Sequence, residues 1–308
     1  MVLFAVVGCG SEPPVRPPAG ESRDVRPVGV QDPAELPAAG TKAPACGDPR
    51  ASLSPDATIA PGSATDRIVQ RGYLIAGVNQ NAYRVGSPEA RTRKLVGFEI
   101  DIVREIARSL FGDPERVRFA AIDAAKREDA VNNGEVDLVV RSMTITCAAR
   151  EKVAFSTEYF TAAQRLLVPV SSDVTEIDDL GSARVCSAKG STSLTNLSHL
   201  NPEVVPVSVA DVVDCLVLLR EHQVDAVSTS DILLVALAAQ DPSTKVVGRD
   251  LAIQPYGVAI AKNSPDLVRY VNAVLDGYRT SGDWADSYRT WLTPYLGAAP
   301  PPPAPRYR

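Results

Sequence analysis

Residues 136–156, VDLVVRSMTITCAAREKVAFS, decide how the rest of the chain is read. Leu138, Val139 and Val140 form a short apolar run bounded by charge, the pattern of a buried strand. The run opens into Arg141, Ser142, Thr144 and Thr146, a turn dense in hydroxyls and cations. A short helix over 148–153 and a return strand at Phe155 follow. A strand end that presents hydroxyls, unpaired backbone N–H groups and a guanidinium suits a small anion. Carboxylates are held by helix N-termini, bidentate arginine and Ser/Thr donors. The same residues also read as an exposed strand-to-helix loop with scattered charge.

The alternation continues on both sides. Upstream, 73–78 reads as a strand delivering Asn79, Gln80 and Asn81 at its end. Phe98, Ile102, Ile106 and Leu110 fall at helical spacing, 117–121 reads as a strand, and 124–133 as a helix stopped by Gly134. Downstream, a second series begins with a strand at 184–187. There Lys189-Gly190-Ser191-Thr192-Ser193 opens a helix and offers N–H groups and hydroxyls to an anion, without the two-glycine pattern of a P-loop. Strands follow at 204–207, 225–228 and 245–247, with helices from Asp211 to His222 and over 232–239. A return strand over 254–261 and helices over 266–280 and 283–291 close the body.

Strands alternating with helices predict parallel sheets, with ligands at the carboxyl ends of the strands. Two such series predict two α/β lobes, crossed by the chain near 167–172 and 254–258, that hinge over a cleft.

The 308 residues are 45% hydrophobic and 22% charged, with a net charge of −5, which fits a globular body and argues against nucleic-acid binding. After the first few residues no apolar run reaches the roughly 18–20 needed to span a bilayer. The start, MVLFAVVGC, resembles a bacterial lipobox in Val6-Val7-Gly8-Cys9, although its apolar part is short and lacks a basic leader. A lipid on Cys9 would anchor the protein to the membrane from outside the cytoplasm. Residues 10–62 hold eleven of the 25 prolines and read as a flexible tether; the Pro-rich end, 297–308, reads as a disordered tail.

With Cys9 assigned to lipid, Cys46, Cys147, Cys186 and Cys215 remain, an even number in an exported chain. Of three connectivities, Cys186–Cys215 with Cys46–Cys147 is favoured. The first pair lies within the second series, and the second clips the tether beside the binding turn. The spacings are not those of a zinc site, and only His199 and His222 are present, so no metal or cofactor is expected. The expected division is a partial signal peptide (1–8), a lipidated tether (9–62), the first part of lobe I (63–168), lobe II (169–255), the lobe I return with terminal helices (256–296), and the tail.

Seven pieces occur together in order: Gly97-Phe-Glu-Ile-Asp-Ile, Asn133-Gly-Glu-Val-Asp-Leu, Met143-Thr-Ile-Thr, Val153-Ala-Phe-Ser-Thr, Lys189-Gly-Ser-Thr-Ser, Val224-Asp-Ala-Val and Ser281-Gly-Asp-Trp. The series resembles the polar amino-acid type of bacterial extracytoplasmic solute-binding proteins (family 3), nearest to glutamate, aspartate and glutamine binders of actinobacteria. The resemblance implies a type II periplasmic-binding-protein fold, two lobes joined by two hinge strands. It implies a monomer that captures glutamate, aspartate, glutamine or asparagine and passes it to an ABC permease. A sensing lipoprotein that signals to a membrane partner would need the same cleft. A dehydratase-like enzyme on this fold would need a poised acid or base, and none can be assigned.

The family holds the ligand's α-carboxylate with an arginine just past the Thr-rich turn and its ammonium with an acid of the second lobe. Carried over by position, Ser142 and Thr144 match the turn, but the arginine falls on Ala149, with Arg150 one place later. Arg141 and Arg127 are the substitutes. Arg127 stands where glutamate/aspartate binders place a second arginine, and two guanidiniums favour an acidic amino acid. Asn79 and Gln80 complete the first lobe's side; Lys189, Ser191 and Thr192 complete the anion cradle. Asp231 or Asp211 is the candidate for the ammonium.

Overall fold

The computed structural model describes residues 25–36 and 45–308. Cys9 and the expected signal peptide lie outside the described residues. The body has two five-stranded sheets. In the first, Leu74–Val78 is central to a parallel trio with Val117–Ala121 and Leu138–Val140; Ala259–Ile260 and Ala154–Phe155 extend it. Leu138, Val139 and Val140 are all buried, as a strand covered by helices on both faces must be. The helix Phe98–Phe111 turns Phe98, Ile102, Ile106 and Leu110 into this core, which Trp284 and Tyr288 of helix Asp283–Trp291 complete. The second sheet runs in the order Thr244–Tyr256, Phe160–Pro169, Ala226–Ser230, Arg184–Ala188, Val205–Val209.

The two crossings lie side by side. Strand Phe160–Pro169 pairs antiparallel with Thr244–Tyr256 from Thr244↔Pro169 to Phe160↔Tyr256, so the whole of both strands belongs to the second sheet. The first crossing therefore falls before Phe160, not at 167–172. The apolar run at 165–168 is interior to lobe II rather than a connector. The return crossing lies next to it, with the Tyr159 N–H donating to the Tyr256 carbonyl at 2.8 Å.

Both disulfides, Cys46–Cys147 and Cys186–Cys215, are formed. Composition misread two segments. Residues 45–62 lie against lobe I: the Ser52 hydroxyl donates to the Phe155 carbonyl at 2.7 Å, and Arg50 pairs with the buried Glu158. Strand edges and a buried carboxylate outweigh the low apolar content there. The C-terminal segment runs back to meet this arm: Tyr307 bridges to Ser52 and its hydroxyl reaches Asp276 at 2.5 Å. Residues 25–36 touch lobe II instead, where Gln31 bridges to Ser208 on the sheet's edge strand.

Candidate functional site

The turn after Leu138–Val140 is held by a buried carboxylate. Glu99, in the first turn of helix Phe98–Phe111, is 1% exposed. Its Oε1 accepts from the Ser142 N–H at 2.6 Å, the Ser142 hydroxyl at 2.9 Å and the Tyr159 hydroxyl at 2.6 Å. Ser142 takes a left-handed backbone, φ 42°, which costs energy in a residue bearing a Cβ. The two bonds from one residue to one oxygen offset that cost. Burial pushes the Glu99 carboxyl upward, while its three donors and nearby Arg141 oppose the shift. The rest of the turn is strapped to the return crossing: Ile145 N–H donates to the Pro255 carbonyl at 2.7 Å, and Thr144 bridges to Tyr256.

Two guanidiniums meet at this turn and both are buried. Arg127 donates to the carbonyls of Ala124 (2.8 Å), Arg141 (3.1 Å) and Ser142 (3.2 Å), and across the lobes to Gly190 (3.1 Å). Burial and the neighbouring Arg141 charge lower its pKa to about 10, so it stays cationic at neutral pH. Arg141 lies 3.5 Å from Asp211 of lobe II, whose carboxylate also accepts from the Asn81 amide and the Val213 N–H, each at 3.1 Å. Burial lowers the Arg141 pKa too, and Asp211 and Glu99 oppose it. Among the described residues, Asp211 is the only carboxylate in ion-pair reach of either guanidinium.

The lobes meet closely here. Gly190 has φ +73° and a Cβ on it would lie 2.6 Å from Ala125 Cα, so a side chain would push the lobes apart. Lobe II contributes the start of helix Thr192–Leu200. The Ser191 hydroxyl caps it by accepting from Leu194 N–H at 3.1 Å, and the first-turn N–H groups of Thr192 and Ser193 have no helical carbonyl to bond. Between the lobes remains a cavity of about 30 Å³, lined among others by Asn79, Arg127, Arg141, Ser142, Thr144 and Thr192. That is room for a water or two. A ligand of amino-acid size enters only with the lobes parted.

With this geometry in hand, the kinship is specific. The model of the bacterial extracellular solute-binding proteins, family 3, matches residues 74–294. The chain belongs to that family. It is 29% identical over 220 residues to the ABC transporter glutamine-binding protein GlnH of Bacillus subtilis, covering 71% of this chain and 81% of that one. It is 34% identical over 200 residues to the glutamine-binding protein of Geobacillus stearothermophilus, covering 65% and 76%. A solved ancestral arginine-binding protein bound to glutamine superposes with a TM-score of 0.68 at 30% identity, covering 72% of this chain and 98% of that one. The family and these relatives are binding proteins, not enzymes.

Of the residues expected at a family 3 site, the fold brings Arg141, Ser142, Thr144, Arg127, Asn79, Ser191 and Thr192 to one cavity, with Asp211 joined to Arg141. It sends four elsewhere. Arg150 faces the arm, donating to the carbonyls of Pro49 and Ala51 (2.7 Å), on the outer side of lobe I. Burial and nearby Arg308 lower its pKa to about 10. Asp231 lines a different cavity behind the hinge, with Phe160, Trp284 and Tyr288. The Lys189 side chain is exposed at the outer rim, and Gln80 is exposed.

Sequence reading missed Gln254 and Gln164, which hold Ser193 of the helix-opening turn. The buried Gln254 amide donates to the Ser193 hydroxyl at 2.8 Å, and Gln164 donates to the Ser193 carbonyl (3.0 Å) and the Ser228 hydroxyl (2.9 Å). Gln254 and Ser193 line the cleft. A polar amide directly after a short apolar run, Ala162-Ala163 before Gln164 and Leu251-Ala252-Ile253 before Gln254, was the available signal. Glu99 gave a similar one, an acid among core positions of its helix.

Proposed function

We propose that the chain captures an acidic amino acid, glutamate or aspartate, between its lobes and delivers it to an ABC importer. One observation carries this reading: two buried guanidiniums, Arg127 and Arg141, share the cleft with a single paired carboxylate. Desolvated cations favour anions strongly, because removing them from water leaves their charge to be met by the ligand. In this reading Arg141, with Ser142 and Thr144, takes the α-carboxylate. Asp211 takes the ammonium, so the zwitterion inserts into the Arg141–Asp211 pair. Arg127 takes the side-chain acid, and Thr192 donates from the helix start. Glutamine and asparagine, lacking the second charge, bind more weakly. The glutamine- and glutamate-binding names among the relatives support the ligand class.

The anchor of this reading is a lipid on Cys9, outside the described residues, which intact-mass analysis of membrane-extracted protein tests directly. The ligand test is a thermal-shift screen over the twenty amino acids. Ligand at 100 times Kd stabilises the fold by about 2.7 kcal/mol, a shift of several degrees. Glutamate and aspartate should give the largest shifts. A flat response to glutamate, aspartate, glutamine and asparagine rejects the proposal.

A further inference from the structure

Behind the hinge, on the side away from the cleft, lies a cavity of about 320 Å³. Asp231, Phe160, Trp284 and Tyr288 line it, together with Pro301 and Pro303 of the C-terminal segment. We propose that this cavity is a second binding site, for a small organic cation of the alkylammonium or quaternary ammonium class. The inference is independent of the ligand assigned to the cleft.

Three observations converge on that chemistry. First, the walls are aromatic and mutually braced: Trp284 and Tyr288 ring centres lie 5.5 Å apart, and Phe160 stacks on Tyr288 at 6.3 Å. Aromatic faces attract a cation through the ring quadrupole, and most strongly when water is excluded. Second, Asp231 forms no ion pair with any described Lys or Arg; its carboxylate accepts from the backbone N–H groups of Ile232 (2.7 Å) and Ala163. Ser230 stands at the N-cap of this helix but makes no side-chain cap bond, and the Asp231 carboxylate meets backbone donors rather than a cation. Third, the volume matches the lower end of small-molecule sites. An inorganic ion is disfavoured: calcium or magnesium wants several oxygen ligands, and no group of three His, Cys, Asp or Glu suited to a metal occurs among the described residues.

The electrostatics agree. Burial raises the Asp231 pKa to about 6 although it sits at a helix N-terminus, where a carboxylate is ordinarily favoured. The charges around it are Asp250, which raises the pKa further, and Arg165, which opposes it; Tyr288 and Tyr256 are the neighbouring titratable hydroxyls. A bound cation would supply the counter-charge.

The site also straddles the hinge. Asp231 comes from lobe II and Trp284 and Tyr288 from a lobe I helix. Phe160 pairs across the crossing strands with Tyr256, whose ring, 6.1 Å away, lines the cleft. Filling the rear cavity therefore bears on how the lobes move.

The test titrates the full chain at pH 8 with choline and with butylammonium, against the neutral isostere 3,3-dimethylbutan-1-ol, by calorimetry and tryptophan fluorescence. Saturable binding of the cations and none of the alcohol is expected, weakened at least tenfold at pH 5 and in Asp231→Asn. That variant should keep the wild-type thermal shift with glutamate, which shows that it folds and that the cleft is intact. Absence of saturable cation binding, equal binding of the alcohol, or undiminished binding by Asp231→Asn overturns the proposal. A cation signal without a glutamate shift rejects only the cleft reading; the reverse rejects only this one.

Discussion

The two sides of the hinge are electrostatic opposites. On the front, Arg127 and Arg141 are buried, and Asp211 pairs with Arg141 alone; at the back, the half-buried Asp231 has no ion pair among the described residues. Tyr256 lines the front cavity and Phe160 the rear one, their ring centres 6.1 Å apart. Neighbours in sequence fall on opposite sides: Thr229 lines the front cavity, and Asp231 lines the rear one. Where strand Ala226–Ser230 passes into helix Asp231–Gln240, the direction of successive side chains changes from alternation to rotation. The charge of a residue is therefore legible before its side is.

This contrast can be broken experimentally. Arg141→Ala should have the largest effect, a loss of roughly 100-fold or more in affinity for glutamate by calorimetry, since truncating a buried charge partner costs about 2–5 kcal/mol. Retained nanomolar-to-micromolar ranking among ligands with Arg141 gone would move the anchor elsewhere. Glu99→Ala should follow, at roughly tenfold, through Ser142: without its two acceptor contacts the left-handed turn relaxes, and losing a buried hydrogen bond typically costs about 1–3 kcal/mol. An unchanged affinity would show that the turn holds itself.

Asp231→Asn sharpens the comparison from the other side, through stability. Its acid pKa rises from 3.8 to about 6 on folding, so ionisation disfavours the folded chain. Below pH 3.8 the acid is neutral folded and unfolded, and the cost is absent. Stability is lost as pH rises from about 4 to 6, and the full cost persists above. At roughly 1.4 kcal/mol per unit, the variant should be more stable than wild type at pH 8 by about 2–3 kcal/mol and equal to it near pH 3.5. Denaturant melts at the two pH values check this, and a gain at acid pH alone contradicts it. Arg150→Ala should be smallest in affinity, within about twofold, because its guanidinium serves the arm carbonyls of Pro49 and Ala51. A large loss of binding would return Arg150 to the cleft.

Periodicity was sufficient for most of the fold. Strands such as Leu138–Val140 and helices such as Phe98–Phe111 announce themselves by burial on a fixed repeat. The turn at Arg141–Thr144 was legible because hydroxyls and cations cluster at a strand end. Three things were not. Arg150 sits one residue past Ala149, and about 100° of helix rotation carries it to the outer face. Strand Phe160–Pro169 is ten residues of continuous β character, and nothing in its pattern marks which sheet receives it. The proline-rich ends owe their placement to long-range partners, Glu158, Phe155 and Asp276, that composition cannot reveal.

The N-terminal arm has a mechanical consequence. It is fastened to lobe II at Gln31 and Ala34, through Ser208 and Pro206, and bolted to lobe I by Cys46–Cys147. Twelve covalent steps join Ala34 to Cys46. A fully stretched chain covers at most about 3.6 Å per step, so the two fastenings can never be more than roughly 43 Å apart while both hold. The arm is thus a leash that sets an outer limit on how wide the jaws gape, and cutting the disulfide would lengthen it.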